Sequence, residues 1–310
     1  MTTPARVLVT PRSLTAAGLD TVEDLEPLRK HGYELIGPSP GTMPTEDVLL
    51  ELLPGCVGWL AGVEPIGERL LSQATDLKVI SRNGAGTDAI DLDAAERARI
   101  EVVRAVGANA QGVAELVLAL TLCALRHVVP TATALKHGEW TRIKGSELPD
   151  RRIGIVGLGA VGERTAAAFT GLGAEVCGHD PYAQRATVPL VELDELLATC
   201  DVISLSAPAS SDGRPLIDAD RLARVPEGTV LVNTARSALV DDDAVLAALV
   251  DGRLAAYAVD AFDTEPPEPS RLLRHERVIA TPHLGGYTTS SIQRATRMAV
   301  DNLLTALEAS

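Results

Sequence analysis

The chain has 310 residues, 46% apolar and 23% charged, with a formal net charge of −14 at pH 7. That length allows two domains with ample cores. It holds no apolar run of the ~18 residues that a membrane span needs, and no Lys/Arg cluster that would suit nucleic acid or an anionic membrane. A small anionic ligand would therefore need a local basic site working against the overall field. The N-terminus lacks an apolar signal core, so a cytoplasmic protein is expected. Cys56, Cys123, Cys177 and Cys200 are scattered without a C-x-x-C pair, which argues for ordinary buried thiols rather than a metal site or a disulfide framework.

Short apolar runs at 6–9, 33–36, 56–60, 77–81 and 100–103 alternate with helical stretches. Thr45 is placed to N-cap one of these. Such alternation predicts parallel βα units and a doubly wound domain. A long apolar helix then runs from Asn109 to Arg126 with few polar breaks, so most of its surface needs cover, between domains or from a second subunit. Beyond a polar connection at 136–150, strands are expected at 152–156, 174–178, 202–205, 229–233, 255–259 and 278–281. This is a second, six-stranded parallel domain. An amphipathic helix over 290–308 closes the chain. The fold class is α/β, with two doubly wound parallel sheets.

Two glycine loops compete for a dinucleotide. Gly157, Gly159 and Gly162, with Ala160 and Val161 between them, follow a strand and open a helix at G-x-G-x-x-G spacing. The three glycines suit a tight turn, close backbone approach to a pyrophosphate and close helix–strand packing. The helix N-terminus would receive the phosphates. Gly84, Ala85, Gly86 and Thr87–Ala89 fit the looser G-x-G-x-x-A. The strand after that loop ends in Arg104, whereas the strand after Gly162 ends in His179 and Asp180. A carboxylate about 20 residues on from the first glycine is where a ribose 2′-OH is held, and it repels a 2′-phosphate. The second loop is thus expected to take NAD rather than NADP.

Ligands of open parallel sheets gather at the carboxyl ends of the strands. Those ends here carry Ser206, Ala207 and Pro208; then Asn233, Thr234, Ala235 and Arg236; then Asp260 and Glu265; then His283, Leu284, Gly285 and Gly286. An Arg, a Glu and a His past neighbouring strands, beside a nicotinamide, are the types that hydride transfer to a keto acid asks for. Histidine moves a proton near neutrality, a carboxylate beside it favours the imidazolium, and guanidinium forks onto a carboxylate.

In these residues the chain resembles the D-isomer-specific 2-hydroxyacid dehydrogenase family, in the pattern of short phosphoglycerate dehydrogenase-like members. The resemblance rests on Arg82–Asp88, Asn109 with Val113–Glu115, the loop from Gly157 to Gly162 with Asp180, Asn233–Arg236, Asp260 with Glu265, and 281–286. It implies a Rossmann NAD domain over 102–284 inserted into a flavodoxin-like substrate domain made of 1–101 and 285–310. It implies His283 as acid/base, Glu265 as its partner and Arg236 as the substrate clamp. Asn83, Gly84, Ala85 and Gly86 would contact the substrate carboxylate. Gly157, Gly159, Ala160, Val161, Gly162, Asp180, Ala207, Pro208, Thr234, Ala235, Asp260, His283 and Gly285 would line the cofactor. The helix from Asn109 would serve a homodimer, and no segment beyond 310 would house a regulatory domain. The implied activity is the interconversion of a small D-2-hydroxy acid, with or without a phosphate or phosphonate group, and its 2-keto acid. Alternatives are an NAD-sensing, corepressor-like binding protein and a phosphite-type dehydrogenase. Three departures bear on substrate identity: Ser206 where many members have His, Ser237 where Gly is usual, and Thr87–Ala89 in place of a common Asp-Asn region.

Overall fold

In the computed structural model, which describes residues 4–210 and 212–309, the apolar runs form two all-parallel sheets. The first holds β1 (Arg6–Val9), β2 (Glu34–Ile36), β3 (Cys56–Ala61), β4 (Val79–Arg82) and β5 (Glu101–Arg104), in the order β2-β1-β3-β4-β5. The second holds β6 (Arg152–Val156), β7 (Glu175–His179), β8 (Val202–Leu205), β9 (Thr229–Asn233), β10 (Leu254–Val259) and β11 (Val278–Ala280), in the order β11-β10-β9-β8-β6-β7. Central strands are buried on both faces, as all four residues of β8 are, which is why they read as continuous apolar runs rather than alternations. In the second sheet the strand order reverses between β6 and β8. A doubly wound sheet opens a ligand crevice at such a switch point.

The chain divides into a unit of Met1–Asn109 with Thr289–Ser310 and a unit of Ala110–Thr288. Both divisions fall later in the chain than the expected boundaries at 101/102 and 284/285. The reason is local: β5 is laddered onto β4 from Val79↔Glu101 to Arg82↔Arg104, so it cannot leave the first sheet. At the other end, the loop after β11 is held by the second unit through Asp260. The closing helix (Thr289–Ala309) buries Ala295, Ala299, Val300, Leu303 and Leu304 in the first unit. Ser81 Oγ on β4 donates to Ala299 O at 2.7 Å, and Gly58 on β3 leaves room that a Cβ would fill 3.1 Å from Leu303 and Leu307.

Thr45 does cap its helix, accepting from Val48 N. The apolar helix Ala110–Leu125 is covered largely by its own unit, with Val117, Leu120, Ala124 and Leu125 in the core beneath β6. A further helix at Val128–Lys136, unassigned from sequence, carries the exposed apolar residues Val128, Val129 and Leu135. Among the described residues no single helix is long and apolar enough to cross a membrane.

Candidate active site

The glycine loop sits at the carboxyl end of β6. Gly157 N donates to His179 O at 2.8 Å and Ser206 N to Val156 O at 2.7 Å, so the loop is bracketed by the ends of β7 and β8. Gly157 has φ +90° and a Cβ there would lie 2.7 Å from the Ser206–Ala207 backbone, while a Cβ on Gly162 would lie 1.9 Å from Gly157 O. At Gly159 a Cβ would meet nothing within 4 Å. The first and third glycines are thus required by the protein itself, and the second keeps space open above the loop. Gly159 is also the N-cap of the Ala160–Gly171 helix and offers no side chain to its first N–H groups, which leaves them for an anion. Asp180 braces the loop, accepting from Leu158 N and Tyr182 N, each at 2.9 Å. Its oxygens retain lone pairs for a ribose diol. Ser206 Oγ and Thr234 Oγ1, at the ends of the paired strands β8 and β9, are buried without a hydrogen-bond partner. Buried hydroxyls of that kind await a ligand or water. These residues fit a dinucleotide.

The competing loop is built differently. After Gly84 and Gly86 the next helix (Leu92–Arg97) is capped by its own Asp91 side chain, which accepts from Ala94 N, so no free helix terminus faces that loop. Gly84 has φ +152°, and a Cβ there would meet the Arg82 guanidinium, which donates to Asn83 O. Asn83 Oδ1 is buried and unpaired. Asn83, Gly84, Ala85 and Gly86 thus stand at the end of β4 in the first unit, while the other expected site residues all belong to the second.

Past β9, Asn233 is fully buried and acts as a bracket: its Nδ2 donates to Arg236 O at 2.8 Å and its Oδ1 accepts from Ala235 N at 3.1 Å. Tyr257 is buried beneath it, its phenol pushed up by burial against a hydrogen bond with Asn233. The turn presents Arg236, whose Nη1 donates to Ala235 O at 2.7 Å. Past β10, Glu265 Oε1 stands 2.6 Å from His283 Nδ1, and both side chains are about half exposed. His283 has φ +53°, a left-handed backbone that costs a non-glycine residue roughly 1–2 kcal/mol.

Asp260 holds that loop in place. It is 1% exposed, and its Oδ1 accepts from Thr281 Oγ1 at 2.6 Å and Leu284 N at 2.7 Å, its Oδ2 from Gly285 N at 2.7 Å. Three donors already engage the side chain expected to face the cofactor, so its structural task is to carry His283. Sequence reading passed over the Asn233 side chain and Asp263, which accepts from Ser237 Oγ. The signal for Asn233 was a polar residue ending an otherwise apolar strand.

A doubly wound cofactor unit with an uncapped glycine-loop helix, and an Arg and a Glu–His pair past neighbouring strands, defines a dinucleotide-dependent oxidoreductase as the class. The profile described as "D-isomer specific 2-hydroxyacid dehydrogenase, NAD binding domain" matches residues 118–285. The chain is 34% identical over 232 residues to a hydroxypyruvate reductase of Thermotoga maritima, covering 73% of this chain and 76% of that one. It is 35% identical over 260 residues to a D-3-phosphoglycerate dehydrogenase of Mycobacterium bovis, covering 81% of this chain but only 49% of that one, so it spans about half the length of that relative. A crystal structure of the TT0316 protein from Thermus thermophilus superposes with a TM-score of 0.87 at 33% identity, covering 98% and 97% of the two chains. The chain belongs to the D-isomer-specific 2-hydroxyacid dehydrogenase family, and its cofactor is NAD.

Proposed function

We propose that the protein interconverts a small D-2-hydroxy acid and its 2-keto acid, with hydroxypyruvate and its 3-phospho derivative the first substrates to try. The observation that carries this reading is the 2.6 Å contact between Glu265 Oε1 and His283 Nδ1. It engages Nδ1 and leaves Nε2 as the ring nitrogen that hands a proton to, or takes it from, the substrate oxygen. Bound NADH supplies the hydride for reduction. Arg236 holds the substrate carboxylate through paired N–H groups, and Glu265 stabilises the imidazolium before the proton is given up. In the reverse direction the same His283 accepts the hydroxyl proton. The 3-phospho substrate rests on the relative of which this chain covers about half, hydroxypyruvate on the one covered more fully.

The test is purified protein with NADH against pyruvate, glyoxylate, hydroxypyruvate and 3-phosphohydroxypyruvate, and with NAD against phosphite. Turnover of one keto acid well above the others supports the reading. Phosphite oxidation would replace the substrate class, and silence with tight NADH binding would make the protein an NAD sensor.

We also propose a homodimer. The helix from Ala110 spends most of its apolar surface within its own unit. Support for a second copy comes instead from the stretch after it, where Val128, Val129, Leu135, Trp140 and Ile143 are exposed. An exposed apolar run of this kind is a common seat for a subunit. Light scattering on the wild type and on L135E/W140E should give a dimer and a monomer; a monomeric wild type removes the proposal.

A further inference from the structure

The segment that carries Glu265 borders a solvent-open hollow. A cavity of about 220 Å³ is lined by Ser237, Asp242, Tyr257, Phe262, Asp263 and Leu272, among others. A loop at the rim of an open hollow is packed on fewer sides than a core segment. Its charges work against it as well. The Asp242 carboxyl is pushed above the ordinary carboxylate range, first by burial and then by the charge of Asp263, with Asp241 and Asp243 adding to it. The Asp242 and Asp263 carboxylates thus repel one another across the hollow, and the loop carries one of them.

One contact opposes that push. Ser237 Oγ donates to Asp263 Oδ1. Ser237 directly follows Arg236, and Asp263 precedes Glu265 by two residues, so this hydrogen bond joins the loop after β9 to the loop after β10.

We propose that Ser237 and Asp263 form a positioning pair that ties the Glu265 loop to the Arg236 loop and so sets the Glu265–His283 contact relative to the substrate clamp. This deepens the proposed function and rests on it. Asp263 is exposed and Ser237 half-exposed, and a hydrogen bond between such groups adds little to global stability. Its effect therefore belongs in turnover and not in the melting temperature.

The experiment compares wild type with S237A, S237T, D263A and the S237A/D263A double variant. In S237A, kcat for the keto acid falls about fivefold, with a similar rise in its KM, as expected for groups displaced by a fraction of an ångström. The KM for NADH and the melting temperature stay unchanged. S237T, which keeps the hydroxyl, recovers wild-type rates, and the double variant is no worse than S237A alone, since either change breaks the same contact. Nitrogen-15 resonances of the His283 ring, measured without substrate, report which ring nitrogen carries hydrogen. They show Nδ1–H in the wild type and a mixture of tautomers in S237A. Additive losses in the double variant, a threonine variant as impaired as alanine, or an unchanged ring spectrum in S237A would each overturn the proposal. If the wild type turns over no keto acid, the functional reading falls, and the ring spectra still decide the pair.

Discussion

His283 is held in a backbone conformation that it would not choose, at φ +53°, and the fold keeps it there through the three donors gathered on Asp260. Strain maintained at the residue proposed for proton transfer fixes where its ring can be. Replacing His283 with alanine should cost turnover about 10²–10⁴-fold, with NADH binding, followed by fluorescence, held within about twofold; undiminished turnover would remove the acid/base role. A second residue gives a pH signature. Asp242 titrates above the ordinary carboxylate range in the folded protein. A raised folded value means that its protonated form favours folding at acid pH and that this contribution is lost as pH rises through the folded value. D242N should therefore melt higher than wild type at pH 7, and its advantage should close as pH falls toward about 4. A constant gap across that range would contradict the assigned cause.

At the level of elements, the glycine loop separates what the protein needs from what the cofactor needs. A Cβ at Gly162 would sit 1.9 Å from Gly157 O, while one at Gly159 meets nothing within 4 Å. G162A should lower the melting temperature by several degrees, as about 1–3 kcal/mol of overpacking would in a chain of this size. G159A should melt like wild type and bind NADH at least about tenfold more weakly, because the methyl occupies the approach of the pyrophosphate; a G159A protein with normal affinity would place the cofactor elsewhere. The same loop shows how much was legible beforehand. Central strands buried on both faces announce themselves as apolar runs, and the shorter edge strands still carry enough apolar residues to be read, so the eleven strands of the described residues were found, each within two residues of its ends. Residues past strand ends could be named as Arg236, Glu265 and His283, since topology puts those ends together. What escaped depends on neighbours far along the chain. Whether β5 belongs to the first or second unit is settled by its ladder to β4, not by its own residues. The Val128–Lys136 helix, with β-branched residues and Pro130 in its first turns, has weak local propensity. The Ser237–Asp263 contact spans 26 residues and has no periodic signature.

For the molecule as a whole, the net charge of −14 opposes any anionic substrate until it reaches the clamp proposed at Arg236. Raising ionic strength from about 0.01 to 0.15 M shortens the screening length from roughly 30 to 8 Å. The KM for a keto acid should therefore fall with added salt, more steeply for a phosphorylated one; a KM that rises would mean that the local basic field already dominates. The discontinuous first unit has a further consequence, for the order of synthesis. Its core takes Ala299, Val300 and Leu303 from the closing helix, and Ser81 finds its acceptor 218 residues later. At about 5–20 residues per second a ribosome needs roughly 10 to 45 s to cover that distance. The nascent first sheet must wait through that interval with part of one face uncovered, while the NAD-binding unit, continuous in the chain, has all its strands in hand. The unit that begins first is completed last, which makes the nascent first sheet the stretch most in need of a chaperone.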